Sequence, residues 1–109
     1  MLPVFPSPFL PQVAARVSDK PWFLYLIECR DGSIYTGITV DVAARYAAHC
    51  AGKGARYTRS HPPQQLLACA AHADRSAAAR EEVRVKRLTP AGKRDYAAAL
   101  GLAALPVNG

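Results

Sequence analysis

Residues 21–39 read PWFLYLIECRDGSIYTGIT, and this stretch decides the fold. Apart from Glu28, residues 21–29 are apolar and rich in aromatic and aliphatic side chains, which favours a β-strand covered on both faces. Residues 30–32 mark a tight turn, because their glycine tolerates the positive φ that such turns require. Residues 33–39 predict a second strand, so the two strands form an antiparallel hairpin.

The length of this turn decides which hairpin side chains share a face of the sheet. A two-residue turn places Tyr25 and Tyr35 on opposite faces. A three-residue turn with a left-handed Gly32 sets Tyr25 opposite Gly37 and Tyr35 opposite Ile27, which places both tyrosines on one face. A site that uses both tyrosines requires the three-residue turn, and this is the turn that we predict.

A helix is predicted after the hairpin. Asp41 is a favoured N-cap residue, and Gly52 is a favoured stop. The helical period then predicts that Val42, Tyr46 and Cys50 form the buried stripe. Arg45 and His49 lie together along one border of that stripe.

The rest of the chain completes an α+β domain. Residues 52–63 predict a polar, basic loop, and residues 66–71 predict a third strand. A second helix starts near residue 74 and reaches residue 88, and a Thr-Pro start signal opens a third helix over residues 89–100. The fold class is therefore a three-stranded antiparallel sheet flanked by three helices, in the order β-β-α-β-α-α.

Composition and the chain ends set the wider context. The chain has 109 residues, which suits one domain, and a formal net charge of +6 favours a polyanionic partner. Residues 1–20 contain four prolines and predict an extended arm, with a helical turn at residues 12–17. The domain is expected over residues 21–100, with a frayed tail at 101–109.

No apolar run reaches the roughly 18 residues of a membrane span, and the first twenty residues lack the features of a secretion signal. We therefore predict a cytoplasmic protein without a membrane segment.

The three cysteines do not indicate a disulfide framework or a thiolate zinc site. Cys29, Cys50 and Cys69 are odd in number and widely spaced, and none forms a Cys-x-x-Cys pair. Each is predicted to be a small buried apolar residue.

Five positions in register resemble the GIY-YIG nuclease superfamily, in particular its small stand-alone bacterial members. They are FLY at 23–25, YTG at 35–37, Arg45, His49 and Glu82. The two tyrosines and the arginine follow one another at intervals of ten residues, as in the family pattern. The resemblance covers about residues 21–100, and its one departure is a phenylalanine at the first position, where the family name has glycine.

The resemblance implies hydrolysis of a phosphodiester bond in DNA with one divalent metal ion. Glu82 stands at the position of the metal-binding carboxylate, and a single carboxylate with waters suits Mg²⁺ or Mn²⁺. Arg45 would bind phosphate oxygens, Tyr35 would be the general base, and Tyr25 would orient the water or the phosphate. His49 has two interpretations: it accepts the proton of Tyr35, or it makes a structural hydrogen bond to that hydroxyl.

Two further features accompany this candidate site. The segment 52–59 interleaves cations with an aromatic residue, which is typical of nucleic-acid binding, although an ordinary solvated loop has the same composition. Its candidate binding residues are Lys53, Arg56, Tyr57 and Arg59. Gly37 is predicted to be structural, at a position where no side chain fits beside Tyr25.

Three hypotheses follow for the function. The first is a metal-dependent DNA endonuclease used in repair or DNA processing. The second is a nucleic-acid-binding module that keeps the fold and cleaves little or not at all. The third is a partner-binding protein that uses the arm. The set of Tyr25, Tyr35, Arg45 and Glu82 favours the first hypothesis over the second.

Overall fold

The computed structural model describes residues 21–104, which form an antiparallel sheet of three strands with helices on both of its faces. Its elements are β1 (Trp22–Cys29), β2 (Ile34–Thr39), α1 (Val42–Cys50), α2 (Arg56–Ser60), β3 (Pro63–His72), α3 (Arg75–Lys86) and α4 (Pro90–Ala104). The strand order is β2-β1-β3, so the strand predicted to be covered on both faces is the central one. The predicted arm, its helical turn and residues 105–109 lie outside the described residues.

The hairpin has the three-residue turn. Tyr25 pairs with Gly37 and Ile27 pairs with Tyr35, as that turn requires. Gly32 has φ of +91°, the left-handed conformation that glycine adopts without strain. Arg94 of α4 also holds the turn, since its guanidinium donates to the Gly32 carbonyl at 2.7 Å. The register predicted from the sequence is confirmed.

Alternate side chains of β1 enter two separate cores. Leu24 and Leu26 face α3 and α4, where Val85 and Ala97 close the larger core. Tyr25 and its neighbours on the opposite face pack against α1 and β3. Those neighbours are Ile27, Cys29, Tyr35, Val42, Tyr46, Leu66 and Cys69. The tyrosines therefore lie in the layer beneath α1, and α3 lies in the layer on the other side of the sheet.

The segment after α1 differs from its prediction. Residues 52–63 are not a continuous loop, because residues 56–60 form the short helix α2. Thr58, the inward side chain of this helix, is only 2 % exposed. Its burial anchors a single helical turn, which is too short to show periodicity in the sequence. The third strand begins earlier than predicted, at Pro63, and α4 continues to Ala104, past the predicted end near residue 100.

The cysteine prediction is wrong for one of the three residues. Cys29 is buried and Cys69 is partly buried, but Cys50 is exposed. The last residue of α1 that faces the sheet is His49, which is 1 % exposed. Positions 49 and 50 both lie about two helical turns from Val42, and the helix directs the histidine inward.

Within residues 21–104, no helix is long and apolar enough to cross a lipid bilayer.

Candidate active site

Two tyrosines from the hairpin form the floor of the candidate site. The rings of Tyr25 and Tyr35 lie on the same face of the sheet, with centroids 6.2 Å apart and planes inclined by 48°. Gly37, opposite Tyr25 on β2, leaves room for the phenol: a Cβ atom there would lie 2.6 Å from the Tyr25 hydroxyl and 2.8 Å from Cζ. A side chain at this position would therefore have to displace the Tyr25 ring.

His49 completes a three-ring cluster from the opposite side. Its Nε2 atom lies 2.8 Å from the Tyr25 hydroxyl oxygen, and its Nδ1 atom lies 2.6 Å from Oγ1 of Thr58. Its ring centroid is 5.8 Å from that of Tyr25 and 5.1 Å from that of Tyr35. The predicted hydrogen bond between His49 and Tyr35 is therefore wrong: the tyrosine that bonds to His49 is Tyr25.

Burial keeps two members of this cluster in their neutral forms. It raises the pKa of Tyr25 to about 12, and the nearby Arg45 charge only partly opposes this shift. Burial also lowers the pKa of His49, and the positive charge of Arg45, one helical turn earlier on α1, lowers it further. At neutral pH the pair is therefore a phenol and an uncharged imidazole, which can share one hydrogen bond without a net charge.

The helix α2 brings a second aromatic group to the edge of the cluster. Tyr57 stacks on Tyr35 with centroids 5.9 Å apart, and His61 stacks on Tyr57 at 4.0 Å with nearly parallel planes. Tyr57 is 38 % exposed, so this column of rings reaches the surface. Lys53, Arg56 and Arg59, the predicted cations, are exposed in the same segment of the chain.

Glu82 lies on α3, which packs against β1 and β2 from the other face of the sheet. Its side chain is 21 % exposed, and its carboxylate lies 3.2 Å from Nζ of Lys86, the i, i+4 neighbour on the helix. The neighbouring Glu81 accepts hydrogen bonds from Arg84 at 2.6 Å and from Tyr96 at 2.7 Å. Of these two adjacent acids, Glu82 therefore has fewer side-chain partners: one ion pair, against two hydrogen-bonding side chains for Glu81.

Sequence reasoning missed two residues that shape the site, Thr58 and Gly54. Thr58 is the buried hydroxyl beside His49, and Gly54 lies against the imidazole ring. The sequence carries only a weak signal for Gly54, a Gly-x-Gly pair after α1, and none for Thr58. Their role depends on a tertiary contact between α1 and α2 that no local pattern describes.

We expect Gly54→Ala to displace His49. A Cβ atom at Gly54 would lie 2.8 Å from Cγ of His49 and 2.9 Å from its Cα, and the backbone atom cannot rotate away. Such overpacking should lower the free energy of unfolding by about 1–3 kcal/mol. Urea denaturation measures this loss, and side-chain NMR shifts of His49 report the displacement.

Gly52→Ala is the matched control for this substitution. Gly52 has φ of +78° and open space where a Cβ atom would stand, so alanine there strains only the backbone, by about 1–2 kcal/mol. We expect the control to leave the His49 shifts unchanged. Wild-type stability together with wild-type His49 shifts in Gly54→Ala would contradict the close packing described for this loop.

Comparison with known proteins identifies the family to which this fold and its paired tyrosines belong. Residues 21–95 match the family model described as the GIY-YIG catalytic domain. The chain belongs to the GIY-YIG family, whose members are generally nucleases.

The relatives are small bacterial proteins. The UPF0213 protein of Cupriavidus pinatubonensis is 50 % identical over 82 residues, which cover 75 % of this chain and 91 % of the relative. The Escherichia coli UPF0213 protein YhbQ is 52 % identical over 69 residues, or 63 % and 69 % of the two chains. A solution NMR structure of an E. faecalis protein has a TM-score of 0.54 at 30 % identity and covers 84 % of this chain and 97 % of that one. The resemblance to stand-alone bacterial members is confirmed.

The family implies a divalent metal ion, and the described side chains limit the kind of site that could hold it. Within residues 21–104, no three His, Cys, Asp or Glu side chains are grouped to hold a metal ion. A zinc site of three or four protein ligands is therefore not formed by these residues. The single carboxylate of Glu82, supplemented by waters and phosphate oxygens, fits Mg²⁺ or Mn²⁺, which keep several waters when bound.

Proposed function

We propose that the protein hydrolyses phosphodiester bonds in DNA as a divalent-metal-dependent endonuclease of the cytoplasm, in DNA repair or processing. One observation carries the proposal: the hairpin register brings Tyr25 and Tyr35 together under α1, beside Arg45 and a buried His49. This arrangement stands in a chain of the GIY-YIG family. Its residue types match the needs of the reaction, which are an activated water, a neutraliser of phosphoryl charge and help for the leaving oxygen.

The two tyrosines differ in a way that supports separate roles. Tyr25 is 1 % exposed, has a pKa raised to about 12 by burial and shares a hydrogen bond with His49. It is therefore a poor base and suits the orientation of a water or a phosphate. Tyr35 is only partly buried, and we assign it the general-base role. Arg45 offers a planar fork of donors that suits phosphate oxygens.

Glu82 is the residue that would hold the metal ion, Mg²⁺ or Mn²⁺. A bound divalent ion supplies charge stabilisation to the phosphoryl oxygens. The chain's own contribution there is a carboxylate side chain on α3, the helix that packs against β1 and β2, with Lys86 as its exposed partner. The lysine is free to exchange its partner, because exposed pairs of this kind are weak.

The exposed cations around α2 suit the backbone of a nucleic acid. Lys53, Arg56 and Arg59 are exposed in α2 or just before it, and α2 also carries Tyr57, which stacks between Tyr35 and His61. One face of the Tyr57 ring is already covered by His61, so a base would have to stack on the ring surface that is left exposed. Binding through these cations should weaken as salt rises, since counterion release drives it.

A second candidate function is binding of nucleic acid without cleavage. The pairing of Glu82 with Lys86 favours it, because the carboxylate has a partner and the described residues form no group of three or more His, Cys, Asp or Glu side chains that could hold a metal ion. A protein partner bound through residues 1–20 stays a prediction.

Cleavage assays test the proposal. The purified full chain is incubated with single-stranded, duplex, nicked and branched DNA, with Mg²⁺, with Mn²⁺ or with a chelator. We expect metal-dependent cleavage of at least one substrate. Salt-sensitive binding without cleavage would replace the proposal with the second candidate function. If the protein neither binds nor cleaves any of these DNAs, both candidate functions are refuted.

A further inference from the structure

Thr58 is a buried hydroxyl with two contacts. The residue is 2 % exposed, although both of its neighbours in α2 are exposed. Its Oγ1 atom lies 2.6 Å from Nδ1 of His49 and donates to the carbonyl oxygen of Ala55 at 3.0 Å. The threonine therefore links the backbone at the start of α2 to the imidazole of α1.

The protons of this network can be assigned by counting donors. Thr58 has one hydroxyl proton, and its donation to the Ala55 carbonyl leaves a lone pair of Oγ1 for His49. Nδ1 of His49 then donates to Thr58, and Nε2 keeps the lone pair that accepts the proton of Tyr25. This assignment gives all three short contacts a donor and an acceptor. In the opposite tautomer the Thr58 hydroxyl would have to donate to Nδ1, which removes its 3.0 Å hydrogen bond to the Ala55 carbonyl and gains in exchange only the 3.4 Å contact from the Ala55 amide.

We propose that Thr58 is a positioning residue that holds His49 in the Nδ1-protonated tautomer and so commits the Tyr25 hydroxyl proton to Nε2. The oxygen lone pairs of Tyr25 then remain available to Arg45 or to a water in the site. The kinetic consequence rests on the proposed nuclease function, whereas the tautomer does not.

The chain offers a matched control in Thr36. This threonine of β2 is also 2 % exposed, and its Oγ1 has no hydrogen-bond partner among the described residues. Valine has nearly the shape of threonine without the hydroxyl. Thr36→Val and Thr58→Val thus remove the same group from equally buried positions, and only the second removes a contact with His49.

The direct test is long-range ¹H–¹⁵N NMR of the histidine side chains in the full chain without DNA or metal, at about pH 8, above the ordinary histidine pKa. His61 and His72 serve as internal references. We expect the Nδ1-protonated pattern for His49 in the wild type, Thr58→Ser and Thr36→Val, and a mixed pattern in Thr58→Val. An Nε2-protonated wild type, or an unchanged pattern in Thr58→Val, would overturn the proposal.

Kinetics test the consequence separately. We expect Thr58→Val to lower kcat about tenfold with KM little changed, the scale seen when a residue that orients a functional histidine is removed. Thr58→Ser should restore the rate, and Thr36→Val should keep it. An altered tautomer with a wild-type kcat would overturn the positioning role. A wild type that cleaves no DNA refutes the nuclease proposal, and the NMR result then decides the tautomer alone.

Discussion

Replacing Glu82 with glutamine is expected to lower Mg²⁺-dependent DNA cleavage by at least about 100-fold and to leave the fold intact. Glutamine keeps the size of the side chain and removes the charge that would hold a cation. A divalent ion contributes several kcal/mol to stabilising a phosphoryl transition state, and each 1.4 kcal/mol corresponds to a factor of ten. Initial cleavage rates across a Mg²⁺ titration measure the effect.

The stability of Glu82→Gln should stay close to that of the wild type. The pair with Lys86 is an i, i+4 pair with both side chains partly exposed, and such pairs contribute about 0.3–0.5 kcal/mol. Urea denaturation of both proteins therefore separates a lost charge from a lost fold.

Glu81→Gln is the control, because the two glutamates are neighbours with opposite expected roles. Hydrogen bonds from Arg84 and then Tyr96 lower the pKa of Glu81 to about 2. A carboxylate whose pKa is lowered by folding stabilises the fold fully at pH values above its ordinary pKa, near 4.5. This stabilisation is lost as the pH falls toward 2. Glu81→Gln should thus be less stable at neutral pH and still cleave. A stable, inactive Glu81→Gln beside an active Glu82→Gln would transfer the metal-binding role to Glu81.

The parts of the fold that the sequence predicts correctly follow from local rules. The apolar run of β1 has no polar face, and this composition is sufficient to indicate a central strand. Gly32 permits the three-residue turn, because glycine adopts the left-handed conformation at its third position without strain, and the length of the turn sets the register of every pair that follows. The same glycine also suits a two-residue turn, so the choice between the two depends on the requirement that both tyrosines share a face.

The parts that the sequence does not predict depend on contacts between segments. The helix α2 spans five residues, which is too short to show a helical period in the sequence. Its position follows from the burial of Thr58 against His49. The choice between Tyr25 and Tyr35 as the partner of His49 depends on the distance between α1 and the sheet. In the same way, only Arg84 and Tyr96 distinguish Glu81 from Glu82, and Tyr96 comes from another helix.

Replacing Tyr35 with phenylalanine is expected to lower kcat by about 10²–10⁴-fold, the range contributed by a general base. The substitution removes only the hydroxyl, so the packing against Tyr25 at 6.2 Å and the stacking with Tyr57 at 5.9 Å should remain. KM and salt-sensitive DNA binding should therefore change little. Single-turnover cleavage rates and DNA titrations measure the two quantities.

Tyr46→Phe is the control, since Tyr46 of α1 packs against the same core cluster as Tyr35 and has no assigned role in the reaction. It should cleave at the wild-type rate.

Tyr25→Phe decides whether Tyr35 or the Tyr25–His49 pair is the base. If Tyr25 only orients the water or the phosphate, Tyr25→Phe should lose less kcat than Tyr35→Phe. If Tyr25→Phe loses the larger factor and Tyr35→Phe remains active, the base is the Tyr25–His49 pair. The 2.8 Å hydrogen bond in that pair would then be the path by which the proton leaves the phenol.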